Sequence, residues 1–493
     1  MSGFASQSRV AAAGATVASV ATLLAAPWLC EELAVSAVIA VAAALLLVRR
    51  SRGWAGELAG LLTAGLALAI AFHWAPGALA HAMGTTTAFG LAFTAPIVAW
   101  DAVRTVAPFW LAARVVDDPR DAWLPAALAA VVLEAVMPAI FPWKLGLTMV
   151  AWPITVQAVD LFGTGWATFV LFAHAGVVVA LAAAVDRRLG GGRLLDPARR
   201  AARAWSPAAV AAAVVGLNAA YGAWAVSSWG AAGAAAPRLR VALVQADPDD
   251  EDALRVFQRL THEAAADGRF DLVCWPECSG GSYEACLASF ADEQLLRRHS
   301  RPPRRGIKPL DAAACPLLFG GQIYEGLPEK PRVLYQSAIL MDRSAALAGA
   351  YHKRHLMPFG EYVPWAEQFP ELKLYFPLVE EYSVGREATV LGAGAARIGP
   401  LLCYEDMVPS AAASLVRNSA NLLVALINGS FFTASVTLEQ HRLLAQLRAV
   451  ENRRCLLRCA ATGETCVVSP VGTVTARLPL VVLRRWRARR TSP

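Results

Sequence analysis

The stretch Ile398-Gly399-Pro400-Leu401-Leu402-Cys403-Tyr404-Glu405-Asp406-Met407-Val408-Pro409 decides how this chain of 493 residues is read. An apolar run rises to a single cysteine and then breaks into Tyr-Glu-Asp. A buried strand reads this way when it delivers a nucleophile to the mouth of a sheet. A thiolate there needs a base to take its proton and a cation to hold the charge that develops on the substrate. Taken alone, Cys403 is a small core residue at a strand end. Its reading depends on what stands upstream.

Two upstream segments supply the missing groups. Phe270-Asp271-Leu272-Val273-Cys274-Trp275-Pro276-Glu277 reads as a buried strand, ended by proline, that presents Glu277 at its tip. A carboxylate packed behind Trp-Pro is partly desolvated and drawn toward the range of a general base. On its own it is a solvated turn residue. Tyr351-His352-Lys353-Arg354-His355-Leu356-Met357-Pro358-Phe359-Gly360-Glu361-Tyr362-Val363-Pro364 is closed by two prolines and a glycine, so it is a constrained loop. A cation fixed at Lys353 can stabilise an oxyanion or favour a thiolate. Glu361 can orient that lysine or share the work of the base. His352 and His355 raise a metal or Cys–His pairing, but a lone His-x-x-His without further ligands is usually structural. The basic cluster equally suits a phospholipid headgroup.

The surrounding pattern is layered. Strands are expected at 239–245, 270–277, 316–323, 336–341, 396–403 and 421–427, with a helix over 251–266, which together indicate an α/β domain.

Before residue 237 the composition is of another kind. The chain is 56% hydrophobic and only 17% charged, and the excess falls on Ala, Val and Leu between residues 10 and 228. Seven apolar runs, at 10–29, 32–48, 55–73, 85–103, 122–140, 162–185 and 206–228, each approach the ~20 residues a bilayer core requires. The first is long enough to span and is followed by others, unlike a cleaved signal peptide. Basic residues cluster in alternate connections, at 49–52, 104–120 and 187–203, while those at 30–32 and 74–84 carry none and 141–161 has only Lys144. This alternation puts the N-terminus in the cytoplasm and the second half of the chain outside. Much of the net charge of +7 is thereby explained by topology rather than by nucleic acid. Asp101, Arg104, Glu134 and Asp160 sit in or beside the runs, where a charge is either functional or paired.

Of nine cysteines, only Cys30 precedes the second half. In an exported domain some of the rest could form disulfides. No C-x-x-C pair occurs, and the Cys274/Cys278 and Cys455/Cys459 spacings lack histidines in a zinc pattern, so no metal is expected. Residues 300–310 read as a basic, proline-rich surface loop.

Glu277 in Trp-Pro-Glu, Lys353 in Tyr-His-Lys-Arg-His and Cys403 in Cys-Tyr-Glu, in that order, resemble the Glu-Lys-Cys triad of the nitrilase, or carbon–nitrogen hydrolase, superfamily. The preceding spans, Phe141-Pro142-Trp143, the run Met357 to Pro364, Cys403-Tyr404-Glu405-Asp406, and Gln440-His441 with Leu447-Arg448-Ala449-Val450-Glu451 are similar to its membrane-embedded bacterial branch, the apolipoprotein N-acyltransferase family. The resemblance implies a polytopic α-helical membrane domain over 1–230, a nitrilase-like α-β-β-α sandwich over 238–478, and a basic tail over 479–493. It implies that Cys403 takes an acyl chain from a membrane phospholipid as a thioester, and that the α-amine of an apolipoprotein's diacylglyceryl-cysteine then receives it. Glu277 is then the general base and Lys353 the oxyanion and thiolate partner. Glu361 and Glu405 support the triad, and Tyr404 helps shape the pocket. No cofactor is implied, and the expected protein is a monomer of the bacterial inner membrane with its catalytic domain on the outer face.

Three features depart from the family pattern. Asn428-Gly429-Ser430-Phe431-Phe432 stands where Asn-Asp-Ala-Trp-Phe-Gly is usual, and Ala253-Leu254-Arg255-Val256-Phe257 replaces a Lys-Trp. The apolar run at 478–483 is too short to form the family's last span. The altered loop at Asn428 leaves open a membrane-tethered amidase, or an acyltransferase for another amine. A degenerate scaffold would be marked by loss of a triad member, and all three are present.

Overall fold

A computed structural model describes residues 2–47, 53–188, 206–246, 253–266, 270–280, 282–285, 315–325, 333–344, 346–376, 379, 381–430, 432 and 435–478. The basic connection at 49–52, most of that at 187–203, the start of the helix expected from 251, the proline-rich loop at 300–310 and the tail at 479–493 lie outside the described residues. The chain divides into two compact units: Met1–Gly77 with Thr87–Ser228, and Trp229–Pro493 with Ala78–Thr86.

Long helices fall on the seven apolar runs: Ser2–Leu29, Val35–Leu46, Trp54–Ala71, Thr87–Val115, Trp123–Val136, Gly165–Arg188 and Pro207–Ala235. Among the described residues, three stretches are long and apolar enough to cross a membrane: Trp54–Ala71, Gly165–Asp186 and Pro207–Gly233. The fifth run ends early, at Val136, because Pro138 and Pro142 cannot continue a helix. The following segment is built of short 3₁₀ turns at Leu145–Ala151 and Pro153–Thr155. Its backbone is tied down by the charges that sequence singled out. Glu134 accepts the Leu145 N–H at 2.9 Å and the Thr168 hydroxyl at 2.7 Å. Arg104 pairs with Asp101 at 3.2 Å, donates to the Trp143 carbonyl at 3.2 Å and lies over the Trp143 ring. The Tyr221 hydroxyl donates to Asp160 at 2.8 Å. Non-helical backbone among apolar helices needs such partners, and all four charges serve this structure.

Among the described residues, the second unit holds two six-stranded sheets. The first contains β1 (Val241–Leu243), β2 (Leu272–Cys274), β3 (Ser282–Ala285), β4 (Leu317–Glu325), β5 (Val333–Met341) and β6 (Leu347–His352) in the order β1-β2-β4-β5-β6, with β3 also on β4. The second contains β7 (Leu391–Ala393), β8 (Ala396–Leu402), β9 (Leu422–Ile427), β10 (Cys455–Ala460), β11 (Cys466–Val468) and β12 (Val474–Arg477) in the order β12-β11-β10-β9-β8-β7. Strands β1, β2 and β4 run parallel, as do β8, β9 and β10.

Alternate residues of each strand point to opposite faces, and the core follows. Leu272, Cys274, Leu318 and Leu340 of the first sheet share one apolar cluster with Leu401, Val424, Leu426 and Leu456 of the second. Val273, Trp275 and Phe319 face outward against Phe257 of the helix Ala253–Ala266, where the Phe257 and Trp275 rings stack 5.3 Å apart. The helices Pro409–Arg417 and Ser435–Asn452 cover the second sheet through Ala412, Leu415, Ala445 and Ala449. The result is an α-β-β-α sandwich, as expected. The eight described cysteines, Cys403 among them, are free thiols.

Candidate active site

Strands β2, β6 and β8 each end in a residue singled out from the sequence. After β2, Trp275 is held in the core by donating its indole N–H to the Thr261 hydroxyl at 3.0 Å. Pro276 then stops the ladder and turns the chain, so that Glu277 emerges only 5% exposed. The turn lies so close to β4 that a Cβ on Gly320 would stand 2.5 Å from the Glu277 Cα. Only glycine permits that approach.

After β6, Lys353 keeps its backbone in register by donating to the Gln336 carbonyl at 2.8 Å. Its side chain is 1% exposed. The ammonium reaches Glu277 Oε1 at 3.3 Å and Glu361 Oε1 at 2.7 Å. The other Glu361 oxygen accepts the Met357 N–H at 2.8 Å, which closes the loop that carries it. Phe359 and Trp365 adopt left-handed backbone angles in that loop, at φ +62° and +61°. Burial pushes the Lys353 ammonium toward its neutral form, but Glu277 and Glu361 outweigh it and hold its pKa well above the ordinary lysine range. Burial raises the Glu361 carboxyl, with Lys353 opposing and Glu277 adding.

After β8, Cys403 opens a single 3₁₀ turn, Cys403–Met407, at φ +44°. A left-handed angle at a residue with a Cβ costs about 1–3 kcal/mol and persists only where surrounding contacts fix it. The turn is an elbow that lifts the half-buried sulfur off the strand. Burial pushes the thiol well up, and Glu277, Glu361 and Asp406 add to that while Lys353 draws it down. In the resting site the sulfur therefore favours its protonated form and has a carboxylate and an ammonium in its field.

Glu405 touches neither Glu277 nor Lys353. Its fully buried carboxylate accepts the Tyr351 hydroxyl at 2.7 Å and the N–H groups of Arg354 at 2.8 Å, His355 at 3.1 Å and Leu402 at 3.0 Å. It thus staples the elbow to the Lys353 loop. Tyr404 is 9% exposed, and its phenol is pushed up to about 12 by burial, with Tyr362 adding and Lys353 opposing. The two histidines are structural: His352 pairs with the Ser337 hydroxyl at 2.8 Å and stacks on Tyr335, and His355 sits 3.3 Å from the Ser410 hydroxyl.

Sequence reasoning missed Asn428 as part of the site. Its N–H donates to Glu277 Oε2 at 3.3 Å, and its carbonyl lies 3.9 Å from the Cys403 sulfur, so the backbone of one residue spans the carboxylate and the thiol. The available signal was positional. Asn428 follows the buried strand β9 as Glu277 follows β2.

Two sheets back to back, with Glu, Lys and Cys delivered from three strand ends, define a class. Residues 240–481 match the carbon–nitrogen hydrolase family model, and this half of the chain is a carbon–nitrogen hydrolase domain. The curated relatives narrow the likeness: they carry the name apolipoprotein N-acyltransferase. The Geobacter metallireducens protein is 32% identical over 49% of this chain and 46% of its own length. That of Azotobacter vinelandii is 32% identical over 49% of this chain and 45% of its own. The Bdellovibrio bacteriovorus protein is 28% identical over 86% of this chain and 77% of its own. The first two matches thus span about half of those relatives, and the third extends through the helical unit.

Proposed function

We propose that this protein is an apolipoprotein N-acyltransferase. In this reading Cys403 is the nucleophile, Glu277 the general base and acid, and Lys353 the cation at the developing oxyanion. Glu277 takes the Cys403 proton as sulfur attacks an ester carbonyl of a membrane phospholipid. The tetrahedral oxyanion collapses, the lysophospholipid alkoxide leaves with the proton from Glu277, and a thioester remains. The α-amine of a diacylglyceryl-cysteine then attacks the thioester and gives its proton to Glu277. The amide forms, and sulfur departs to recover that proton. One base that shuttles a proton in both directions serves both halves. Glu361 holds Lys353, Glu405 holds the elbow and Tyr404 shapes the pocket.

The observation that carries this reading is the buried Lys353 ammonium between two carboxylates, with the Cys403 thiol in their field. Lipid substrates are favoured by the apolar segment after the Lys353 loop, where Trp365 and Leu374 stand 64% and 79% exposed. Exposed apolar surface suits contact with a protein, a membrane or a ligand, and we read it here as a lipid contact. We place the protein in the bacterial inner membrane as a monomer, with about seven spans over residues 1–230, its N-terminus cytoplasmic and residues 238–478 on the outer face.

Intact-mass analysis after incubation with phosphatidylethanolamine tests the first half-reaction. The expected result is a fatty-acyl gain that hydroxylamine removes and that Cys403→Ala lacks. No adduct on the folded wild type, with hydrolysis of small amides instead, would replace this reading by the amidase that the altered Asn428 loop allows.

A further inference from the structure

Behind the elbow, on the side away from Glu405, lies a group of buried charges that the reaction above does not use. Asp406 is fully buried. Its Oδ1 lies 2.5 Å from His441 Nε2, and its Oδ2 accepts from Arg458 Nε at 3.3 Å. Arg458, also fully buried, donates onward to the Glu464 carbonyl at 2.8 Å. Arg448 donates to the Met407 carbonyl at 2.9 Å and to Glu451 at 2.8 Å. The helix Ser435–Asn452 and strand β10 thus grip one five-residue turn from two sides. As a source of stability such a cluster is poor, because desolvation offsets most of the attraction and an apolar set of the same volume would hold the fold as well.

We propose that Asp406, held between His441 and Arg458, is a positioning residue for Cys403: its two partners fix the elbow and balance a negative charge three residues from the sulfur. The inference rests on the reading of Cys403 as the nucleophile. The charged and titratable groups acting on Cys403 are Glu277, Lys353, Glu361 and Asp406. Those acting on Asp406 are Cys403 itself, His441, Arg448, Arg458 and Cys466. Removing the His441 donor leaves the Asp406 charge less balanced, which disfavours the thiolate. Removing the Asp406 charge leaves Arg458 unbalanced, which favours it. The two changes act on the sulfur with opposite signs. A cluster that served the fold alone would move both variants in the same direction.

The test is alkylation of Cys403 by iodoacetamide against pH, read by peptide mass on the full chain in detergent, for wild type, His441→Leu, His441→Gln and Asp406→Asn. The midpoint is expected to rise by about half to one pH unit in His441→Leu and to fall by a similar amount in Asp406→Asn. His441→Gln, whose amide can donate to Asp406 from the same direction, is expected to return to the wild-type midpoint. Thioester formation from phosphatidylethanolamine should slow about tenfold or more in His441→Leu at saturating lipid. Its half-saturating lipid concentration should be unchanged, and His441→Gln should recover the rate. Shifts of the same sign, or none, in folded variants would overturn the proposal. If His441→Leu fails to fold, a His441→Gln protein that folds but keeps a slow rate overturns it, and one that recovers the rate supports it. Alkylation needs no substrate, so a wild type that never forms an acyl adduct would sink the acyltransferase reading and leave this comparison to stand or fall by itself.

Discussion

Replacing Lys353 by methionine removes the cation and keeps the volume. In the wild type its ammonium lies 3.3 Å from Glu277 and 2.7 Å from Glu361, with side-chain exposures of 1%, 6% and 15%. At an effective dielectric near 20, these separations correspond to gross attractions of about 5 and about 6 kcal/mol. Desolvating the ammonium offsets much of that, and breaking a buried pair from one side costs about 3–5 kcal/mol net. The variant has one escape, which is to protonate a carboxylate. Glu361 is the group to do so, since burial and Glu277 already raise it. Holding a proton on a carboxyl of ordinary pKa costs about 4 kcal/mol at pH 7 and about 1 kcal/mol at pH 5. The sign is fixed. A carboxyl raised in the folded state favours folding below its unfolded pKa, and that advantage is lost as pH rises through the folded value. The deficit of Lys353→Met is therefore about 3–4 kcal/mol at pH 7 and shrinks to about 1 kcal/mol at pH 5. Amide hydrogen exchange of β6 and the Cys403–Met407 turn, corrected for intrinsic rates between pH 5 and 8, measures it. A deficit that stays flat over this range, or under about 1 kcal/mol at pH 7, would refute a dry and mutually dependent triad.

Other perturbations separate the parts of the site. Glu277→Gln should abolish acyl transfer yet lower the pH midpoint of Cys403 alkylation, because a carboxylate that raises the thiol is gone; a midpoint that rises would mean Glu277 does not act on the sulfur. Glu405→Ala leaves three backbone N–H groups and a tyrosine hydroxyl without their acceptor. It should cost about 3–6 kcal/mol and speed exchange at the elbow and the Lys353 loop together; loss confined to one segment would break the staple. Gly320→Ala forces a Cβ to within 2.5 Å of the Glu277 backbone. It should cost about 1–3 kcal/mol and, by displacing Glu277 from the sulfur, lower both transfer and the pH midpoint of Cys403 alkylation; an unchanged midpoint would mean that Glu277 had not moved.

Much of the fold was legible because its strongest signals are local. The six expected strands coincide with β1, β2, β4, β5, β8 and β9, all rich in Val, Leu and Ile. The overlooked strands are short or interrupted: β3, β7, β11 and β12 have three or four residues each. β6 reads Leu-Ala-Gly-Ala-Tyr-His and owes its place to pairing with β5. β10 carries Arg458, whose burial no propensity foretells, because it depends on an acceptor 52 residues away at Asp406. Among the apolar runs, the helices were found but the segment after Val136 was not, since its 3₁₀ turns are held by Glu134, Arg104 and Asp101 rather than by any local preference.

The site divides along the same line. Glu277, Lys353 and Cys403 could be read because each is a reactive group placed where an apolar strand stops, and tight turns put strand ends at the mouth of a sandwich. The groups that could not be read act through the backbone or across the fold. Asn428 contributes an amide N–H and a carbonyl, which any residue possesses. Glu405, expected to support the triad, binds three backbone N–H groups and the Tyr351 hydroxyl, partners that no local pattern reveals. An elbow at φ +44° is unfavourable in the isolated chain, so its conformation must be imposed from outside. Glu405 does this from the Lys353 side, and Asp406 and Met407, through His441, Arg458 and Arg448, from the other. A sequence can point to a candidate nucleophile, but what holds Cys403 in a strained position is distributed over residues remote in the chain.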